Sequence, residues 1–83
     1  MNKVLVTVYV PILEEQYDML VPINKTVYNV ILLMSKVIYE INDGYYEPEG
    51  IPILYNKLTG MPYNINSKII DTDIRNGTEV VLI

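Results

Sequence analysis

The chain has 83 residues and a net charge of −4, with six basic and ten acidic side chains. Its composition, 51% hydrophobic and 19% charged, predicts one globular domain over residues 1–83. The scattered basic residues do not favour nucleic-acid binding. Because histidine and cysteine are absent, the usual general base, thiol nucleophile and zinc ligands are missing, and we expect a protein that is not an enzyme and carries no metal or cofactor.

The start of the chain has the composition of a secretion signal, with Lys3 followed by an uncharged stretch from Val4 to Leu13. Pro11, the alternation of valine with other residues and the lack of a small-residue cleavage site favour a buried strand instead. No apolar stretch approaches the roughly 20 residues that span a bilayer. The sequence therefore predicts a cytoplasmic protein without direct membrane insertion.

Two alternating segments predict an antiparallel hairpin. Between residues 3 and 10 every even position is valine, and period-two alternation places these valines on the core face of a strand. A second alternating run, Tyr17–Val21, follows a short polar loop, with Tyr17, Met19 and Val21 expected to face inward.

A single amphipathic helix follows the hairpin. Thr26 is the predicted N-cap, the helix runs to about Asn42, and Asp43-Gly44 ends it. At about 100° per residue, one face collects seven apolar residues that are expected to pack against a sheet: Val27, Val30, Ile31, Met34, Val37, Ile38 and Ile41.

The remaining segments predict up to three further strands. Residues 51–55 suit an edge strand because they contain Pro52, residues 61–65 suit a short returning strand, and residues 79–83 suit a final hydrophobic strand. Residues 66–74 are predicted to be irregular and anchored in the core by Ile69, Ile70 and Ile74.

The first and last strands are the most continuously hydrophobic, which places them side by side and parallel in the centre of the sheet. Together with one crossover helix, this order predicts an α+β fold of the β-grasp type, with a mixed sheet of four to five strands.

Two motifs resemble the helix start and the final turn and strand of the ubiquitin superfamily: Thr26-Val27-x-x-Val30 and Ile74-x-Asn76-Gly77-Thr78-x-Val80-x-Leu82. The stretch from Ile53-Leu54-Tyr55-Asn56-Lys57 to Val80-x-Leu82-Ile83 resembles the small YukD/EsaB proteins, which are ubiquitin-like components of type VII secretion systems in Gram-positive bacteria. The resemblance implies a ubiquitin-like fold without catalytic residues. Without a Gly-Gly tail after Ile83, we expect no conjugation.

The helix carries a second apolar stripe outside its predicted core face. Tyr28, Leu32 and Tyr39 lie within about 40° of one another on one flank, with Ser35 between them. Aromatic anchors dominate the energetics of many interfaces, which favours a partner-binding or self-association patch. The alternatives are that the long loop after the helix covers the stripe, or that its tyrosines are simply surface residues.

Two further groups are candidate contacts for a partner. Tyr45 and Tyr46 lie in a predicted loop where no helix or strand buries them, and binding residues concentrate in loops. On the open face of the sheet, Leu5 and Tyr9, together with Thr7 and Leu20, form the third candidate.

The leading hypothesis is thus a non-conjugating, protein-binding accessory or regulatory component of a type VII secretion system, with a secretion ATPase or membrane component as its partner. The alternative is a stand-alone β-grasp interaction domain or inhibitor unrelated to secretion. The sequence leaves the oligomeric state open, including a homo-oligomer.

Overall fold

The computed structural model of the chain describes residues 2–83. Its α-helix and strands are, in chain order, β1 (Lys3–Val10), β2 (Glu15–Pro22), α1 (Val27–Ile41), β3 (Leu54–Asn56) and β4 (Glu79–Leu82). Short 3-10 turns lie at Pro11–Leu13 and Ile69–Asp71. Across residues 2–83, no helix combines the length and the apolar character that a membrane crossing needs.

The four strands form one mixed sheet in the order β2-β1-β4-β3. β1 pairs antiparallel with β2 and parallel with β4, placing Val8 opposite Val80. β3 pairs antiparallel with β4, placing Leu54 opposite Leu82. The most hydrophobic strands therefore occupy the centre, and α1 crosses between the two antiparallel pairs, which confirms the predicted α+β β-grasp arrangement.

The third strand is shorter than predicted, and the returning strand does not form. β3 begins at Leu54, although Ile53 still exchanges two backbone hydrogen bonds with Ile83, at 2.8 and 3.0 Å. In the predicted returning segment, only an isolated bridge joins Pro62 to Tyr55. Two backbone hydrogen bonds flank this bridge, from the Asn56 N–H to the Met61 carbonyl and from the Tyr63 N–H to the Leu54 carbonyl, so the segment pairs with β3 over one bridge without forming a strand.

The core lies between the sheet and α1. Val6, Val8 and Val10 are at most 1% exposed, and Tyr17 and Met19 pack against the core from β2, as the alternation predicted. Five of the seven residues on the predicted core face of α1 are buried: Val27, Val30, Ile31, Met34 and Ile38.

Two residues of that predicted core face, Val37 and Ile41, are exposed instead. Val37 lies at the margin of the apolar face, where the helix meets the outer strand β2. Ile41 is the last residue of α1, where the chain turns away from the helix axis. Helical periodicity predicts which side chains share a face of α1, but it does not predict how wide the sheet is or where the sheet stops covering that face.

Both ends of α1 have the predicted capping residues. Thr26 Oγ1 accepts a hydrogen bond from the Asn29 N–H at 3.2 Å. At the other end, Asp43 and Gly44 both have positive φ, 51° and 86°. The Gly44 N–H donates to the Tyr39 carbonyl at 2.8 Å and the Asp43 N–H to the Glu40 carbonyl at 3.3 Å, which is the Schellman pattern that ends many helices.

The irregular segment before β4 is anchored by two of its three predicted isoleucines. Ile69 and Ile74 are buried, whereas Ile70 is half exposed. Ile70 follows Ile69 directly within a 3-10 turn, and adjacent residues of a helical turn point in different directions. The Ser67 carbonyl accepts a hydrogen bond from the Val27 N–H at 2.8 Å, which ties the segment to the start of α1.

Candidate functional site

The helix stripe is open to solvent. Tyr28, Leu32 and Tyr39 are 36%, 44% and 45% exposed. Two residues after the helix approach the stripe: Gly44, where an added Cβ would lie 3.3 Å from the Tyr39 hydroxyl, and Tyr46, whose side chain lies near Ser35. The loop after α1 therefore does not bury these side chains, and they are accessible to a partner.

The loop tyrosines, Tyr45 and Tyr46, have opposite environments. Tyr45 is 86% exposed, whereas Tyr46 is 5% exposed and belongs to the core. The prediction that Tyr46 is an exposed contact is therefore wrong, because the Schellman turn directs the chain back so that this ring packs beneath the loop. Tyr45 alone stays available for contact.

Burial raises the pKa of Tyr46, and the nearby Ser35 hydroxyl partly offsets that increase. Ser35 Oγ is buried and makes no hydrogen bond of good geometry within residues 2–83. Both groups stay neutral at physiological pH and contribute packing rather than reactivity.

Tyr45 borders a shallow concavity of about 310 Å³ that is also lined by Ile12, Leu13, Tyr46 and Pro48. Ile12 is 83% exposed at the turn between β1 and β2. The loop and the hairpin turn therefore bring two exposed apolar side chains to the same end of the molecule, although they are distant in sequence.

The open face of the sheet is divided rather than continuous. Leu5 and Leu20 face each other across β1 and β2 and are 45% and 63% exposed. Next along the strands, Thr7 Oγ1 donates a hydrogen bond to Asp18 Oδ1 at 2.8 Å.

Beyond that polar pair, the Lys57 ammonium lies 5.5 Å from the centre of the Tyr9 ring. This distance is within the range of a cation–π interaction. The structure thus brings Leu5 and Leu20 together but separates them from Tyr9.

A groove between β2 and α1 is the feature that sequence reasoning missed. It has a volume of about 250 Å³ and is lined mainly by apolar side chains, including Met19, Leu33 and Val37. Leu33 also lines a shallow depression of about 350 Å³ with Leu32 and Lys36. The groove therefore continues onto the back of the helix, toward the stripe. Helical periodicity predicts Val37 in the core. Its position at the edge of the apolar face is the sequence feature that could have indicated the groove.

One hydrogen bond fixes the helix against β2 at the end of this groove. Asn42 Nδ2 donates to the Tyr17 hydroxyl at 3.0 Å and to the Ile38 carbonyl at 2.8 Å. The first of these bonds attaches the C-terminus of α1 to the outer strand, so the groove is formed in the isolated chain before a partner binds.

A polar cluster on the opposite side of the sheet has a structural role. The Tyr63 hydroxyl donates to Asp73 Oδ1 at 2.7 Å and accepts from Asn56 Nδ2 at 3.1 Å. Asn56 Oδ1 accepts from the Leu58 and Thr59 N–H groups, which fixes the turn after β3. Burial and the Asp73 carboxylate raise the pKa of Tyr63 to about 12, so this hydroxyl remains protonated and is suited to holding a turn.

No protein-family model and no curated protein matches the sequence. Among solved structures, the chain is similar over its whole length to the ubiquitin-like domain of the Mycobacterium tuberculosis type VII secretion system protein EccD1, with a TM-score of 0.79, 14% identity and 99% of that domain covered. It is also similar to the EccD5 ubiquitin-like domain from Mycobacterium xenopi, with a TM-score of 0.80, 13% identity and 94% covered.

A further similarity is to one chain of the MycP5-free ESX-5 inner membrane complex, with a TM-score of 0.80 and 19% identity. Our chain matches over its whole length but spans only 21% of the length of that chain. At these identities the similarity establishes the fold, which is ubiquitin-like.

Proposed function

We propose that the chain is a non-conjugating ubiquitin-like protein-binding module, and that it acts in the cytoplasm as an accessory or regulatory component of a type VII secretion system. The observation that carries this proposal is the full-length structural similarity to the EccD1 and EccD5 ubiquitin-like domains. The resemblance of residues 53–83 to the YukD/EsaB proteins supports the same assignment independently.

The surface supports binding rather than catalysis. The chain lacks histidine and cysteine, and Tyr63, whose pKa is raised to about 12, is used to hold a turn. Apolar side chains are instead exposed on the helix stripe, in the groove beside β2 and around Tyr45. Clustered exposed apolar surface is typical of sites that bind another protein.

Affinity purification of the tagged chain from its native host, followed by mass spectrometry, tests this proposal. We expect recovery of a secretion ATPase or membrane component, and impaired export of secreted substrates when the gene is deleted. Recovery of unrelated proteins together with unimpaired export would contradict the proposal and favour a stand-alone interaction domain or inhibitor.

The helix stripe is tested in the same experiment by a double variant, Tyr28→Ala with Tyr39→Ala. The matched control is Leu5→Ala with Tyr9→Ala, which removes comparable apolar area from the open face of the sheet. If the stripe contacts the partner, recovery falls for the first variant and persists for the second. Circular dichroism of both variants establishes that the fold is intact.

A further inference from the structure

The outer edge of β2 is an unpaired strand edge. Backbone groups of an antiparallel strand alternate between its two neighbours. In β1 the odd residues bond toward β4, as shown by Leu5, whose N–H donates to Asn76 Oδ1 at 2.8 Å and whose carbonyl accepts from the Gly77 N–H at 2.8 Å. The even residues of β1 therefore bond to β2.

The register then determines which groups of β2 point away from the sheet. Residues 4, 6 and 8 of β1 lie opposite residues 21, 19 and 17 of β2. The residues between these partners, Gln16, Asp18 and Leu20, direct their N–H and C=O groups outward. Within residues 2–83, no loop or side chain forms a hydrogen bond with these groups.

The other edge of the sheet is not equivalent. β3 has three residues, and the adjacent segment satisfies part of its outer edge. The Asn56 N–H donates to the Met61 carbonyl at 2.9 Å, and the Tyr63 N–H donates to the Leu54 carbonyl at 2.9 Å. β2, with eight residues, is therefore the long open edge of this sheet.

The open edge borders the apolar groove. Leu33 and Val37 of α1 are 48% and 40% exposed along its helix side. A strand added beside β2 would project every second side chain into this groove and the others toward Leu20 on the open face of the sheet. Because the Asn42–Tyr17 hydrogen bond holds the groove, little reorganisation would be needed on binding.

The charges around the groove distinguish one occupant from another. Asp18 is the charged residue that lines the groove itself, whereas Lys25 and Lys36 line the depression that Leu33 joins to the groove. β2 itself contains Glu15 and Asp18 and no basic residue. Edge-to-edge pairing with a second copy would bring these acidic strands together, which disfavours self-association, whereas acidic residues of a different partner would be attracted to the two lysines.

We propose that the β2 edge and the β2–α1 groove bind an extended segment of a protein partner by strand addition. The segment has apolar side chains at alternate positions, which enter the groove, and acidic residues at one end, which lie beside Lys25 and Lys36. This inference rests on the proposed protein-binding function and specifies how the partner is held. Main-chain hydrogen bonds supply affinity in such complexes, and the side-chain pockets supply specificity.

A synthetic probe peptide tests the proposal directly. The probe has valine or isoleucine at alternate central positions, threonine between them and glutamates at one end, and it is titrated into the intact chain and followed by NMR. We expect shifts and slowed hydrogen exchange at the amides of Gln16, Asp18 and Leu20. Replacing the glutamates of the probe by lysines should weaken binding.

A pair of variants at one position isolates the backbone contribution. Leu20→Pro removes an outward N–H without touching the ladder to β1, and Leu20→Ala removes the side chain but keeps that N–H. We expect Leu20→Pro to bind the probe about fivefold to tenfold more weakly than Leu20→Ala, because a hydrogen bond is lost. If Leu20→Pro does not fold, a probe N-methylated on the side facing β2 should fail to bind the wild-type chain.

Three results would overturn the proposal. The first is equal affinity of the two Leu20 variants, or of the methylated and unmethylated probes. The second is a set of probe-induced shifts confined to the Tyr45 concavity or absent altogether. The third is concentration-dependent protection of the β2 amides without probe, which would identify a second copy as the occupant.

The same variants separate this inference from the proposed function. If the wild-type chain and Leu20→Pro recover secretion components from the native host in equal amounts, the secretion assignment stands and strand addition is wrong. If the probe binds as expected but no secretion component is recovered, the binding mode stands and the secretion assignment is wrong.

Discussion

The adjacent tyrosines Tyr45 and Tyr46 give a sharp test of the structure, because truncating them should have very different effects. Tyr46 is 5% exposed and Tyr45 is 86% exposed. Truncation of a buried aromatic side chain to alanine costs about 3–5 kcal/mol. For a domain of this length the whole free energy of unfolding is on the order of 4–12 kcal/mol, so Tyr46→Ala removes a large part of it.

We therefore expect Tyr46→Ala to lower the midpoint of thermal unfolding by more than about 12 °C, whereas Tyr45→Ala should change the free energy of unfolding by less than about 0.5 kcal/mol. Tyr46→Phe is the matched control: it keeps the buried ring and removes only the hydroxyl, so it should cost about 1 kcal/mol or less. Circular dichroism during heating and in urea measures all three. Similar destabilisation by Tyr45→Ala and Tyr46→Ala would refute the placement of this loop.

Three further predictions concern the ends of α1 and the turn after β3. Asp43→Gly should raise the free energy of unfolding by about 1 kcal/mol, because it removes both a left-handed non-glycine residue and a negative charge at a helix C-terminus. Asp43→Asn should give about half of that gain in urea unfolding, and less in high salt. A lower free energy of unfolding for either variant would contradict this explanation. Thr26→Ala should cost about 1 kcal/mol and Thr26→Ser much less, and equal thermal midpoints for the two would show that the cap contributes nothing. The pKa of Tyr63 is raised from 10.0 to about 12 in the folded chain, so the stability that depends on its protonated hydroxyl is present below pH 10 and is lost as the pH rises toward 12. The advantage of the wild-type chain over Tyr63→Phe in urea unfolding should shrink across that range, and a constant difference would argue against the Asp73 hydrogen bond.

The central part of the fold could be predicted because local pattern and long-range pairing agree there. The valines of β1 alternate with a period of two, and the resulting buried face and the central position of β1 are both observed. The helix start was equally local, since the N-cap bond joins Thr26 to Asn29, three residues away. Such features depend on short stretches of sequence.

The features that the sequence did not predict depend on distant segments. Tyr46 is buried because a turn at Asp43 and Gly44 returns the chain onto the core, and no periodicity marks a loop residue as buried. Val37 is exposed because the sheet ends at β2, and its exposure helps to create the groove beside that strand. In both cases the burial of a side chain is decided by where another part of the fold lies, which local sequence does not show.

The parallel pairing of β1 and β4 also determines how the fold would respond to mechanical force. The two strands run in the same direction at the centre of the sheet, with Thr7 opposite Glu79 and Tyr9 opposite Val81. A pull that separates Lys3 from Leu82 along the strand axis would load the hydrogen bonds between them in shear, so that they resist together rather than opening one after another. Since forced unfolding is governed by the unfolding rate, we expect the domain to withstand tension better than its small size suggests.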